Sequence, residues 1–206
     1  MLRILALLLL SCIALAARAA DDKMLYVEYR LAGKQIQADS FDAQIKKVWR
    51  IGTRYLRFED APNPVTKIHG LIIVAEPDIW IIDRNTNQAQ HTIDPGPNYK
   101  IRFPLLASES SEKLRQLEFG SELQFFRDNN ATELPAQEIE GIKCKPLRLE
   151  IEGEEVTLYL KTDDTPLQVT VKSPDYEYTM RFIRYEPDRR PDKSLFQLPP
   201  GVQLKK

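Results

Sequence analysis

Thiols, histidines and long apolar runs are scarce in this chain, and each scarcity removes a class of function. Its 206 residues hold two cysteines, Cys12 and Cys144, and two histidines, His69 and His91. The histidines are too far apart for any standard metal spacing and have no cysteine nearby, so no metal site is expected. No cofactor motif is present either. Lysine and arginine number 29 against 30 acidic residues. That balance leaves no basic patch, so nucleic acid is not an expected partner. Beyond the first twenty residues no apolar run approaches the roughly 20 residues that cross a bilayer, so no transmembrane segment is expected.

Catalytic constellations are equally thin, and the expectation is a protein that is not an enzyme. Ser110 and Lys113 have the Ser-x-x-Lys spacing, but its partner motifs are missing, so a helix start is the better reading. Cys144 lacks a histidine neighbour and reads as a packed thiol. Glu150 and Glu152 alternate with Leu149 and Ile151, which puts them on the wet face of a strand. Asn130-Ala131-Thr132 is a glycosylation sequon that carries no meaning in a bacterial host. The histidines read as solvated strand residues.

What is present begins with an export signal. Residues 1–20 run from Met-Leu-Arg through the apolar stretch Ile4 to Ala17 to the small residues Ala19-Ala20, followed by Asp21-Asp22. Cleavage there sends the mature chain to the periplasm. Cys12 within Leu9-Leu10-Ser11-Cys12 loosely resembles a lipidation site. Cutting before it would leave an apolar core of only about eight residues, so anchoring at Cys12 is the less favoured alternative. Losing Arg3 and Arg18 leaves 27 basic and 30 acidic residues, a net charge of −3. Cys144 would then be the single thiol, so the core must hold residues 21–206 together as one domain without an internal disulfide.

Strict alternation of apolar and polar residues dominates that domain, the period of a strand with one wet and one dry face. Leu25, Val27, Tyr29 and Leu31 share a side opposite Glu28 and Arg30. Ile45, Trp49 and Ile51 share another, and Leu56 with Phe58 a third. Leu71 to Ala75 and Ile79 to Ile82 are continuous apolar runs around the turn Glu76-Pro77-Asp78, consistent with cover on both faces. A polar reversal at Asp83 to Gln88 leads into Ala89 to Ile93. Later, Leu147, Leu149 and Ile151 alternate, as do Val156, Leu158 and Leu160 after a turn at Gly153. Leu167, Val169 and Val171 follow the turn at Asp163 to Pro166, and Tyr176, Tyr178, Met180 and Phe182 close the series. The pattern predicts a mainly β, meandering antiparallel sheet, either a sandwich or a curled barrel.

One stretch does not alternate. Ser108 to Asp128 is rich in helix formers, and Gly120 splits it into two short helices, with Ser121 and Gln124 spaced as a capping box for the second. On a continuous helix Leu114, Leu117 and Phe125 would face away from Phe119, Leu123 and Phe126. A break at Gly120 lets both sets point inward. Aromatic bulk is spread over sheet and insert alike, at Trp49, Phe58, Trp80, Tyr159, Phe182, Phe103, Phe119, Phe125 and Phe126.

Four segments in order resemble the LolA/RseB-like superfamily of periplasmic lipoprotein-sorting and lipoprotein-sensing proteins. Arg54 to Glu59 (RYLRFE) resembles its R-x-R-x-E strand, and Ile79 to Asp83 with Asn85-Thr86 resembles the strand and turn that follow. Leu158 to Pro166 (LYLKTDDTP) with Leu167-Gln168-Val169 resembles its late hairpin. Ser194 to Val202 (SLFQLPPGV) resembles its ending. The better-known carriers of this superfamily begin with a long amphipathic helix, whereas Asp21-Asp22-Lys23 runs almost directly into a strand.

The resemblance implies an unclosed antiparallel half-barrel covered by a lid of short helices at about 108–128. An apolar cavity between them would sequester a lipid or the acyl chains of a lipoprotein. Its expected wall is Trp49, Leu56, Phe58, Ile73, Trp80, Ile82, Leu158, Val169 and Met180. The lid would contribute Leu114, Leu117, Phe119, Leu123, Phe125 and Phe126, hinged at Gly120. The alternative is a periplasmic sensor or chaperone module that holds an envelope protein partner on the same concave face.

Overall fold

A computed structural model describes residues 23–96, 104–106 and 111–205. The signal segment with Cys12, and also Phe103 and Ser108 to Ser110, lie outside the described residues. Six strands come first: β1 (Met24–Gly33), β2 (Lys46–Ile51), β3 (Tyr55–Glu59), β4 (Gly70–Ala75), β5 (Asp78–Asp83) and β6 (Gln88–Ile93). A 3-10 turn at Leu114–Gln116 and the helix α1 (Glu122–Asp128) separate them from β7 (Thr132–Glu133), β8 (Gln137–Ile139), β9 (Ile142–Ile151), β10 (Glu154–Lys161), β11 (Pro166–Lys172) and β12 (Glu177–Arg189). A 3-10 turn at Lys193–Phe196 and the short β13 (Gln203–Leu204) finish the chain.

All thirteen strands form one sheet in the order β13-β6-β5-β4-β3-β2-β1-β12-β11-β10-β9-β7, with β8 also on β9. Its two ends do not pair with each other, so the sheet is an unclosed half-barrel, mainly β with a small helical part. Every pairing is antiparallel except that of β13 with β6. Two meanders, β1 to β6 and β9 to β12, are joined along β1 and β12, which pair from Met24↔Arg189 to Gly33↔Tyr178. At that far end a Cβ on Gly33 would stand 2.6 Å from the Glu177 carbonyl oxygen, a clash that only glycine avoids.

The curl of the sheet has a local cause. Register shifts interrupt the β1/β12 ladder between Met24 and Tyr26 and between Glu28 and Tyr29. Each extra residue bends its strand and increases the local twist. The second shift inserts Ile183, which is 46 % exposed, so the inward alternation of Met180 and Phe182 resumes at Tyr185.

Strand alternation sorts the apolar residues onto two faces. The concave face carries a core that crosses the seam between the meanders, including Val27, Val48 and Leu56 on one side and Val156, Leu158, Val169 and Met180 on the other. Cross-strand register builds it in rows, such as Leu158↔Val169, Val169↔Met180 and Met180↔Leu31. The convex face carries a smaller core of Met24, Ile51, Leu71, Ile73, Ile82, Ala89 and Phe196. The closing 3-10 turn is its cover: Phe196 lies 5.6 Å from the Tyr55 ring, and Arg57 Nη1 donates to the Leu195 carbonyl at 2.9 Å. Arg57 is in turn ion-paired with Glu59.

Leu158 is fully buried at the centre of the concave core, whereas Ile81 is 54 % exposed on β5. Leu158→Ala is expected to cost about 2–5 kcal/mol, and Ile81→Ala within about 0.5 kcal/mol. Equilibrium urea unfolding of the two variants measures the contrast.

Candidate functional site

The helical segment lies on the concave face and fills it with its own side chains. Leu105 N donates to the Leu117 carbonyl at 2.7 Å, tying the described piece 104–106 to the segment. Ser111 Oγ accepts from Leu114 N at 3.0 Å and caps the 3-10 turn. Leu114, Leu117 and Phe126 are fully buried, Phe119 is 2 % exposed and Phe125 8 %. Phe119 packs against Tyr29 with ring centroids 5.2 Å apart, and Leu123 packs on the same core.

All six residues expected in the lid therefore meet on the concave core, and Gly120 divides the segment, but among the described residues a three-residue 3-10 turn, Leu114–Gln116, precedes it in place of the expected first helix. The φ of Gly120 is +88°, and a Cβ there would stand 3.0 Å from Leu25 Cδ2. Only glycine adopts that left-handed conformation freely. The capping box is a correction. Ser121 makes no side-chain cap to α1 and instead donates through Oγ to the Glu118 carbonyl, while Gln124 bonds Asp128. The carboxylate that reaches back is that of Glu122, whose Oε2 accepts from Gly120 N at 3.0 Å.

The nine residues expected to share one cavity wall do not share a face. Leu56, Phe58, Leu158, Val169 and Met180 belong to the concave core under the helical segment. Trp49, Ile73, Trp80 and Ile82 belong to the convex core under the C-terminal turn. The physical reason is the two-residue period: Trp49 and Ile73 both pair with Arg57, which lies between Leu56 and Phe58, while Ile73 pairs Trp80 and Leu71 pairs Ile82, so Trp49, Ile73, Trp80 and Ile82 alternate out of phase with Leu56 and Phe58. His91 is an exposed residue of β6, as expected; it stacks on Trp80 at 5.4 Å and contacts Asp78 Oδ1 at 2.7 Å.

Four polar residues around Gly120 were not singled out by sequence. Arg50, facing the concave side, donates through Nη1 to the Phe119 carbonyl at 3.0 Å and through Nη2 to Glu118 Oε2 at 2.5 Å. Its Nε donates to the Gly52 carbonyl at 2.8 Å. On the other side of Gly120, the Tyr185 hydroxyl donates to Glu122 Oε2 at 2.7 Å. Glu122 is 1 % exposed and its Oε1 has no hydrogen-bond partner. Burial pushes the Glu122 carboxyl above its ordinary range, against the lowering pull of the Tyr185 and Gly120 bonds and of Arg50. Burial and the neighbouring Glu122 likewise push the Tyr185 phenol up.

Recesses of about 320 and 330 Å³ flank Gly120, the first lined in part by Leu25, Arg50 and Phe119, the second by Glu122, Leu123 and Tyr185. Among the described residues no group of three His, Cys, Asp or Glu side chains is arranged to hold a metal. Also among them, no helix is long and apolar enough to cross a membrane. Cys144 is buried, its Sγ 3.0 Å from the Ile142 carbonyl.

No protein-family model and no curated protein matches the chain. Solved structures do. An uncharacterized conserved protein from Thermus thermophilus aligns over 89 % of this chain and 90 % of its own, with 11 % identity and a TM-score of 0.52. The lipoprotein LppX of Mycobacterium tuberculosis aligns over 82 % and 90 %, with 10 % identity and a TM-score of 0.44. A LolA superfamily protein from Nitrosomonas europaea aligns over 86 % and 90 %, with 9 % identity and a TM-score of 0.35. At such identity the first match is a likeness of fold.

The surroundings of Gly120 generate two expectations. Gly120→Ala, forced into a left-handed conformation against Leu25, is expected to lower stability by about 1–2 kcal/mol in chemical denaturation. Glu122 ionises in the ordinary carboxylate range once opened to water, but only at higher pH while buried. Across that interval opening releases a proton, so the closed protein is most stable in acid and loses stability as pH rises. Glu122→Gln keeps the shape and removes this slope, which urea midpoints in mildly acidic and neutral buffer compare between variant and wild type.

Proposed function

We propose that this chain is an envelope carrier that sequesters a lipid or acyl chain on the concave face of its half-barrel. The observation that carries the reading is the helical segment. It inserts five buried apolar side chains into that face, yet it is fastened at its glycine hinge by polar contacts that water can replace. In the closed state Leu114, Leu117, Phe119, Phe125 and Phe126 occupy the place a hydrocarbon would take. Swinging the segment away about Gly120 exposes a continuous apolar trough, and an acyl chain regains the lost burial at about 0.8 kcal/mol per methylene. The proposed role is binding and not catalysis, and the export signal read from residues 1–20 supports a periplasmic location.

The four ordered segments that resemble the LolA/RseB-like superfamily support the reading. Two of them now have structural roles. Arg57 and Glu59 of the RYLRFE strand clamp the turn at Leu195-Phe196, and that turn belongs to the closing SLFQLPPGV segment.

Organic extraction of the mature protein purified from its native host, followed by mass spectrometry, is expected to recover a lipid in near-stoichiometric amount. Delipidated protein is expected to enhance N-phenylnaphthylamine fluorescence saturably. Repeated recovery of no lipid together with no enhancement contradicts the proposal.

A further inference from the structure

Beside α1, away from the hinge contacts of Arg50, the sheet and the helix enclose a recess of about 400 Å³, within the roughly 300–1,000 Å³ usual for small-molecule sites. Part of its wall is apolar, with Leu123 from α1, Ala131 from the loop that follows, Leu147 from β9 and Leu160 from β10, and the rest is polar, Asn130 and Glu133 included. All four belong to or pack on the concave core, so the recess borders it.

Its rim is charged. Arg127 and Lys145 converge on one carboxylate, with Arg127 Nη2 3.8 Å from Asp164 Oδ2 and Lys145 Nζ 3.8 Å from Asp164 Oδ1. At that separation neither contact is a hydrogen bond. Among the described residues these two cations thus hold their donors toward the recess with one distant acid between them. Asp164 is itself fixed by a tight turn: its φ is +63°, and Asp163 Oδ1 accepts from Thr165 N at 3.0 Å.

The charge count decides the ligand class. Asp164 and Glu133 offset Arg127 and Lys145, so the recess has no net field to draw in a free polyanion. Short-range donor geometry remains, since an anion with two oxygens placed between the cations replaces two 3.8 Å contacts by direct charge-assisted hydrogen bonds. The apolar part of the wall, continuous with the concave core, adds contact for a hydrocarbon attached to that anion.

We propose that this recess receives the head of an anionic amphiphile, its carboxylate or phosphate-ester oxygens between Arg127 and Lys145 and its tail along Leu123, Leu147 and Leu160 toward the concave core. The assignment rests on the acyl-binding reading and adds the head-group charge and the point of entry. Both cations are more than half exposed, so neutral replacements leave the core intact.

The test titrates delipidated mature protein with anthroyloxy-labelled palmitic acid and with its methyl ester, which has the same tail and no charge. Wild type is expected to bind the acid about tenfold more tightly than the ester. The Arg127→Gln/Lys145→Gln double variant is expected to lose that preference while binding the ester as wild type does. Equal binding of acid and ester by wild type, or a full preference retained by the double variant, overturns the head-group assignment alone. Failure of both probes to bind wild type overturns the acyl-binding reading together with it. Displacement of the acid by inorganic phosphate alone reassigns the cations to a free anion and overturns the amphiphile.

Discussion

The structure depends on the seam between β1 and β12. Two meanders of alternating strands, each with one apolar side, become a single trough only because these strands pair along nearly their full length. The pairing places Val27, Tyr29 and Leu31 opposite Tyr185, Phe182 and Met180, so apolar surface runs unbroken from β4 to β9. The bulges in the same ladder curl the sheet, and the curl gives the apolar surface an inside. A surface of that size cannot be left to water at roughly 25 cal/mol per Å², so something must cover it. In this chain the cover is the segment around Gly120.

Cover and trough are joined by two chemistries of different character. Leucine and phenylalanine side chains supply burial, which any hydrocarbon can match. Arg50, Glu118, Glu122 and Tyr185 supply direction, because their hydrogen bonds bracket the one residue whose backbone is left-handed by necessity. Glu122 is costly where it sits: a carboxyl with one oxygen unpartnered in the interior stabilises the closed form less than an apolar residue of that size would. A cover fastened in this way is stable enough to close the trough and is not optimised to stay there. Stability surrendered there fits the proposed opening of the segment.

Much of the fold was legible because alternation is a strong signal where one face is dry. The strands from Leu25 to Leu31 and from Leu147 to Phe182 lie where their period put them, and the break at Gly120 is real. The site was less legible, for identifiable reasons. Strands β4 and β5 are apolar on both faces, and a run such as Leu71 to Ala75 does not say which residues point inward. Ile73, Trp80 and Ile82 were thus grouped with Leu56 and Phe58 although they pack beneath Phe196. Tyr185 was hidden by the bulge at Ile183, which reverses the phase that Met180 and Phe182 establish. Glu122 and Arg50 were hidden by their chemistry, since a charged residue at a helix start or beside a tryptophan ordinarily reads as solvated.

The central claim is that the helical segment and a bound acyl chain compete for one face. Amide hydrogen exchange of the delipidated mature protein with and without a saturating fatty acid tests it most directly. The account predicts that residues 111–128 lose protection when the ligand binds, while the β1/β12 seam keeps or gains it. Unchanged protection in that segment at full ligand occupancy would contradict the account.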